Sequence, residues 1–285
     1  MKKLTIGIIG GRGTLGKIFK KFFRKHGFKV LISGRKTRLT SIELVKRADI
    51  VIFSVPISST IRVMREVLPY TRREQLLMDF TSIKEEPIKE MLKGKASVIG
   101  LHPMFGKINS LRSKTIIVVP ARPGKWMKLL VPLFKKGKIR IKITTAKKHD
   151  KIMAVLQGLI HFNFMTLSAT LKEISKENKV DINDLLGYGG VIYRIRLGMI
   201  ARILSQDPEL YADISMSNKN TKKAFGKYEE IAKRLNRIIQ KGDKKAFEKL
   251  FNDSALFFGK FKGEALKESS YLIEQFSKYR REKLK

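Results

Sequence analysis

In the first half of the chain, short apolar runs alternate with amphipathic stretches. LTIGIIG leads into a basic segment with apolar residues at helical spacing, then come KVLIS, SIELVKRA, DIVIFSVP, TIRVMREVL, LLMDFTS and IKEMLK. Strand-length runs separated by helical patterns predict βαβ units and a parallel sheet. Further strands are expected at ASVIGL, TIIVVP and IRIKITT. From about Lys148 the strand texture stops. HDKIMAVLQGLIHFNFMTLSATLKEISKE, VIYRIRLGMIARILSQ, KYEEIAKRLNRIIQKG and AFEKLFNDSALFFGKF space their apolar residues three and four apart, which predicts helices packed on several sides. The expectation is an α/β domain over 1–146 and an all-α domain over 147–285. Breaks are expected at Asp207-Pro208 and from Ser217 to Asn220.

Gly11-x-Gly13-x-x-Gly16 follows the first strand pattern and opens a helical one, the context a dinucleotide-binding turn requires. One glycine permits the turn, one lets the backbone approach a pyrophosphate, and one lets helix pack on strand. The helix start supplies amides for phosphates. The first domain is therefore expected to be a doubly wound, mainly parallel Rossmann domain. Its cofactor contacts are expected from Gly11, Arg12, Gly13, Thr14, Leu15 and Gly16, and from Ser54 and Pro56 after the third strand. The second strand ends in Ser33-Gly34-Arg35-Lys36 with no acid for a ribose 2′-hydroxyl. Ser33 and Arg35 therefore favour the 2′-phosphate of NADP over NAD.

Composition narrows the rest. The chain has 285 residues, 43% of them hydrophobic and 30% charged, a globular makeup of two-domain size. No uninterrupted apolar run approaches the roughly 20 residues of a bilayer span, so no membrane association is expected. The absence of cysteine excludes disulfides and thiolate metal sites and fits a cytoplasmic location. The net charge of +36 would attract polyanions, but the basic residues recur along the whole chain instead of forming one face with interleaved aromatics. Specific nucleic-acid binding is not expected, and no His/Asp/Glu cluster has metal-ligand spacing.

GLHPMFG ends an apolar strand at His102, where Pro103 and Gly106 turn the chain out of the sheet. A histidine at that edge can accept a hydroxyl proton near neutral pH. Arg194, Gly198 and Arg202 follow one another at i, i+4 spacing, a stripe that could hold a carboxylate. Gln157 and His161 have the same spacing. His149 reads as a capping or surface group, and His26 as a residue near a helix C-terminus; Asp79 has no assigned role.

GGRGTLG, SVPISST, DFTSIK, GLHPMFG, HDKIMAVLQGLIHF, IYRIRLGMIARILSQDPELYADI and MSNKN, in this order, resemble the prephenate dehydrogenase family over nearly the whole chain. The resemblance implies a Rossmann domain followed by a helical domain that forms a homodimer. It also implies oxidative decarboxylation of prephenate to 4-hydroxyphenylpyruvate, with a hydride passed to NADP or NAD. By motif, His102 and Ser82 are implied as catalytic and Arg202, Arg194, His161 and Gln157 as substrate-side residues. Tyr211 lies in the same motif without an assigned role. The chain departs from the pattern at the second strand's missing acid, at Lys107 and at Gly189-Gly190-Val191. Segments for chorismate mutase or amino-acid-sensing domains have no counterpart, and neither activity is expected. The alternatives are an arogenate dehydrogenase, a non-catalytic dinucleotide-binding regulator and a basic nucleic-acid-associated protein.

Overall fold

The computed structural model describes residues 3–283. The strands are β1 (Thr5–Ile9), β2 (Lys29–Ser33), β3 (Ile50–Phe53), β4 (Leu76–Asp79), β5 (Ser97–Pro103), β6 (Thr115–Arg122) and β7 (Arg140–Ile143). All of the strands expected from the apolar runs form. They make one sheet in the order β2-β1-β3-β4-β5-β6-β7. The first five pair in parallel, β6 runs antiparallel to β5, and β7 is parallel to β6. The connection leaves β1 to one side for β2 and returns on the other for β3, so the switch point lies between β1 and β3.

Between the strands run α1 (Thr14–Lys25), α2 (Ser41–Arg47), α3 (Ile57–Val67), α4 (Glu85–Met91) and α5 (Met127–Lys136), and α6 (Ala146–Met153) follows β7. A sheet buried on both faces needs a core on each. One face packs on Phe19, Phe22 and Phe23 of α1 and Leu130, Leu133 and Phe134 of α5. The other packs on Leu44 and Val45 of α2, Met64 and Val67 of α3, and Ile88 and Met91 of α4. Local signals set the helix ends. Thr40 and Glu43 close a capping box on α2, which satisfies two otherwise orphan donors.

A π-helical segment, Ala154–Leu159, follows α6 and leads into α7 (Ile160–Asn178). Then come α8 (Ile182–Tyr188), α9 (Val191–Leu204), α10 (Pro208–Ser217), α11 (Thr221–Gln240), α12 (Lys244–Phe258) and α13 (Phe261–Lys283). The breaks before α10 and before α11 fall where Asp207-Pro208 and Ser217 to Asn220 predict them.

By contact the chain divides into two compact units, each made of two segments. The first comprises the residues up to Gly158 together with Glu209–Thr221, and the second comprises Leu159–Pro208 with the residues from Lys222 onward. Packing accounts for the first unit, because α6 and the returning α10 segment belong to the core of the sheet domain. Ile214 of α10 packs with Ile57 and Ile83, and Asp213 accepts from the Ser58 amide in the first turn of α3 at 3.0 Å.

In the second unit, α9 lies against α7 and α13. Phe162 stacks on Phe225 with centroids 4.4 Å apart, and Asn163 donates to the Tyr228 hydroxyl at 2.7 Å. Yet Leu256, Phe257 and Tyr188 are 76%, 86% and 95% exposed. Among the described residues, the helical run Ala146–Asn178 is by length and composition alone long and apolar enough to cross a membrane. It begins, however, with the buried polar pair His149 and Asp150.

Candidate functional site

The glycine turn sits at the switch point. Gly10 has a positive φ of 82°, and a Cβ there would lie 2.2 Å from the Ser54 carbonyl oxygen. Only glycine fits that crossing. The Gly10 amide donates to Ser33 O at 2.8 Å, and the Gly13 amide to Gly10 O at 2.9 Å. At Gly16 a Cβ would stand 2.7 Å from Gly10 O and from Gly11 Cα, so α1 approaches the turn as closely as backbones allow. Gly13 caps α1 without a side chain, and the first turn carries no acid. Its amides and the positive end of its dipole are therefore left for an anion. This cradle fits the phosphates of a dinucleotide, with Arg12, Gly13 and Thr14 exposed at its rim.

At the end of β2, Ser33 is fully buried, and its hydroxyl lies 3.2 Å from that of Ser41. The β2–α2 loop turns on Thr37, whose hydroxyl accepts from the Gly34 amide at 2.8 Å. Arg35, Lys36 and Arg38 stand exposed.

His102 occupies the end of β5, paired with Ile117 of β6, and is buried. Its Nδ1 is 2.9 Å from Nε2 of His149. In turn, Nδ1 of His149 is 2.7 Å from Asp150 Oδ1. Asp150 also accepts from the amides of Lys84 at 2.8 Å and Glu85 at 2.9 Å, closing off the start of α4. Asn218, from the returning segment, donates to the Asp150 carbonyl at 2.7 Å, and Lys219 pairs with Glu85. Burial, then the neighbouring His149 and Lys84, hold the His102 pKa well below the ordinary imidazole value. Nε2 of Gln157 lies 3.4 Å from the other ring nitrogen of His102, Nε2. Among the described residues, the buried Gln157 Oε1 has no hydrogen-bond partner.

His149 is thus not the capping or surface group expected from its place near a helix start. The helix start is exposed at Lys147 and Lys148, but the face that follows, His149, Asp150 and Met153, is buried. His149 and Met153, both buried, show the signal that could have found it, an i, i+4 pair on the core face.

Lys84, in DFTSIK, is a second residue that sequence reasoning missed. Its side chain is fully buried and paired with the equally buried Asp79. The ammonium also donates to Leu101 O at 2.9 Å, one residue before His102. Desolvation lowers the Lys84 pKa, and the Asp79 charge opposes the shift. Ser82, between these residues, is half-buried.

The remaining expected residues lie elsewhere. His26 caps α1, with Nδ1 2.9 Å from Phe22 O, as its position predicts. His161, Arg194 and Arg202 belong to the second unit. His161 stands half-buried on α7, its pKa lowered by burial. The two arginines lie on α9. Gln157 lies in the π-helical segment and His161 at the start of α7. Such segments recur at functional sites.

Comparison with known proteins accounts for this arrangement. Residues 29–143 match the nucleotide-binding domain of prephenate dehydrogenase, and residues 145–253 match its dimerization domain. A Methanocaldococcus jannaschii protein described as "Probable arogenate/prephenate dehydrogenase" is 38% identical over 277 residues, covering 90% of this chain. This chain spans only 61% of that relative's length. The T-protein of Haemophilus influenzae is 32% identical over 272 residues, covering 95% of this chain and 71% of its own. The fold matches prephenate dehydrogenase from A. aeolicus, solved in complex with hydroxyphenyl propionate and NAD+, with a TM-score of 0.71 and 21% identity. That match covers 90% of this chain and 98% of the other. Family matches over both halves of the chain, with a relative 32% identical over 95% of it, lead to one assignment: the chain belongs to the prephenate dehydrogenase family.

Proposed function

We propose that the chain is a prephenate dehydrogenase, converting prephenate to 4-hydroxyphenylpyruvate in tyrosine biosynthesis. The observation that carries the reading is His102, buried at the carboxyl end of a strand in a sheet whose switch point holds the glycine cradle. Ligands of such sheets bind at that end. A bound nicotinamide would supply the hydride acceptor. His102 takes the proton of the ring hydroxyl, and Ser82 lies beside that hydroxyl. Loss of the ring carboxylate as carbon dioxide leaves an aromatic product, which makes the step effectively irreversible. By motif, Arg202 and Arg194 are the proposed partners of the substrate carboxylates, and Gln157 and His161 the other proposed substrate-side residues. The net positive charge favours a dianionic substrate.

The test is reduced-cofactor absorbance with prephenate and with arogenate, each paired with NADP and NAD. Turnover of prephenate is expected; turnover of arogenate alone would replace the substrate, and no turnover in any pairing would sink the reading. Because burial lowers the His102 pKa, the neutral base persists on the acid side, and the acid limb of kcat/KM is expected below the ordinary histidine range.

NADP is the proposed cofactor, on the strength of Arg35, Lys36 and Arg38 at the end of β2 and the absence of an acid there. Arg35→Ala should raise KM for NADP about tenfold or more and leave NAD within about twofold. An equal effect on both cofactors would remove Arg35 from that role.

The second unit is proposed to form a homodimer. Its apolar side chains stand largely exposed in the single chain, and a surface of this kind marks an interaction site. The match to a dimerization domain favours a second copy of this chain as the partner over a bilayer.

A further inference from the structure

We propose that Asp150, His149 and His102 form a hydrogen-bonded relay that fixes His102 as the tautomer with its proton on Nδ1. This leaves Nε2 an unprotonated acceptor. The proposal rests on the reading of His102 as the group that takes the substrate's proton, and it names His149 and Asp150 as its positioning residues.

Each link has one direction. The carboxylate of Asp150 can only accept, and it already accepts from the Lys84 and Glu85 amides. The contact to His149 Nδ1 at 2.7 Å is therefore donated by the imidazole. In the proposed relay His149 is the neutral link, with its lone pair on Nε2. That nitrogen faces His102 Nδ1 at 2.9 Å, so His102 must donate. Its own lone pair is left on Nε2, where Gln157 offers an amide donor at a long 3.4 Å. Reversing the chain would turn a lone pair of His149 toward Asp150 in a buried site, where unmatched polar groups are most costly.

The relay is held at both ends. Asp150 is anchored by the first turn of α4 and by Asn218. His102 is anchored through Lys84, whose ammonium binds the preceding carbonyl of Leu101. The charged and titratable groups packed around His102 are His149 and Asp150 of α6 and Lys84 before α4. Asp79 at the end of β4 neutralises that lysine. Imidazole in water favours the proton on Nε2, the reverse of what a base at Nε2 needs. The relay overcomes that preference, in the way that an outer partner sets the tautomer of a working histidine.

The chain has four histidines, so single substitutions assign their ring resonances. The experiment is long-range proton–nitrogen correlation on the ¹⁵N-labelled full chain at neutral pH, followed by kinetics. His102 is expected to be protonated at Nδ1, with an unprotonated shift at Nε2. In His149→Leu the proton moves to Nε2, and kcat falls about 10- to 100-fold with both KM values within about twofold. His149→Gln should recover most of kcat, since its amide can accept from His102 and donate to Asp150. A wild-type His102 protonated at Nε2 overturns the relay. So does a kcat for His149→Leu within about twofold of wild type, or a folded Gln variant no better than Leu. If His149→Leu fails to fold, the wild-type spectrum and the Gln variant still decide. Absence of wild-type turnover would defeat the proposed reaction and leave the tautomer to be read independently.

Discussion

His102→Asn is expected to lower kcat by about 10²- to 10⁴-fold, the usual contribution of one positioned acid–base group, while dinucleotide affinity stays within about twofold. Asparagine is the informative replacement. Its amide can still donate to His149 Nε2, so the buried network keeps a partner, but the group no longer titrates. The cofactor cradle is built by other residues, the glycines between Gly10 and Gly16 and the Ser54 carbonyl behind them. Burst and steady-state kinetics, with cofactor binding followed by fluorescence, separate the two effects. A kcat within about tenfold of wild type would remove His102 from the proton transfer. A parallel loss of cofactor affinity would make it a structural residue of the sheet edge.

Lys84→Met should destabilise the sheet domain by about 3–5 kcal/mol, the cost of leaving one member of a buried ion pair without the other. Asp79 and Lys84 are both inaccessible to solvent. The remaining carboxylate would keep the Thr81 amide at 3.0 Å but lose its countercharge. Asp79→Leu combined with Lys84→Met should restore much of the loss, because replacing a whole buried pair with apolar groups is often close to neutral. Chemical denaturation midpoints of the two variants test this. A loss below about 1 kcal/mol in the single variant would show that Asp79 is not left as a buried charge. Activity should fall further than stability predicts, since Lys84 also holds the carbonyl of Leu101 and with it the backbone of His102.

Lys84 also shows where reading along the chain stops. In DFTSIK it looks like one more basic residue among 61, and nothing in its neighbours says that it points inward. Its burial follows from Gly100, where a Cβ would meet the Lys84 side chain at 3.0 Å and Asp79 at 3.3 Å. That contact joins residues on adjacent strands. His149 fails for a related reason. Its position at a helix start suggests a surface group, and only the packing of α6 on the sheet domain places it between His102 and Asp150. Ser33 is the converse case, a polar residue at a strand end whose hydroxyl turns inward to Ser41.

What the chain determined by itself is what depends on local physics. Alternating apolar runs specified seven strands, apolar residues at helical spacing specified α1 to α4, α7, α9, α11 and α12 but not α5, α8, α10 or α13, and glycines with their neighbours marked the glycine turn. These signals come from residues within a few positions of one another, where periodicity and backbone freedom act directly. The buried Asp79–Lys84 pair, the His102–His149–Asp150 chain and the return of α10 to the sheet domain were decided by tertiary structure alone. They join residues far apart along the chain; Ser58 and Asp213 are 155 positions apart. A polar side chain gives no local sign of whether it will be buried. That depends on which partner the fold brings within hydrogen-bonding distance, and on the cost of leaving it unmatched.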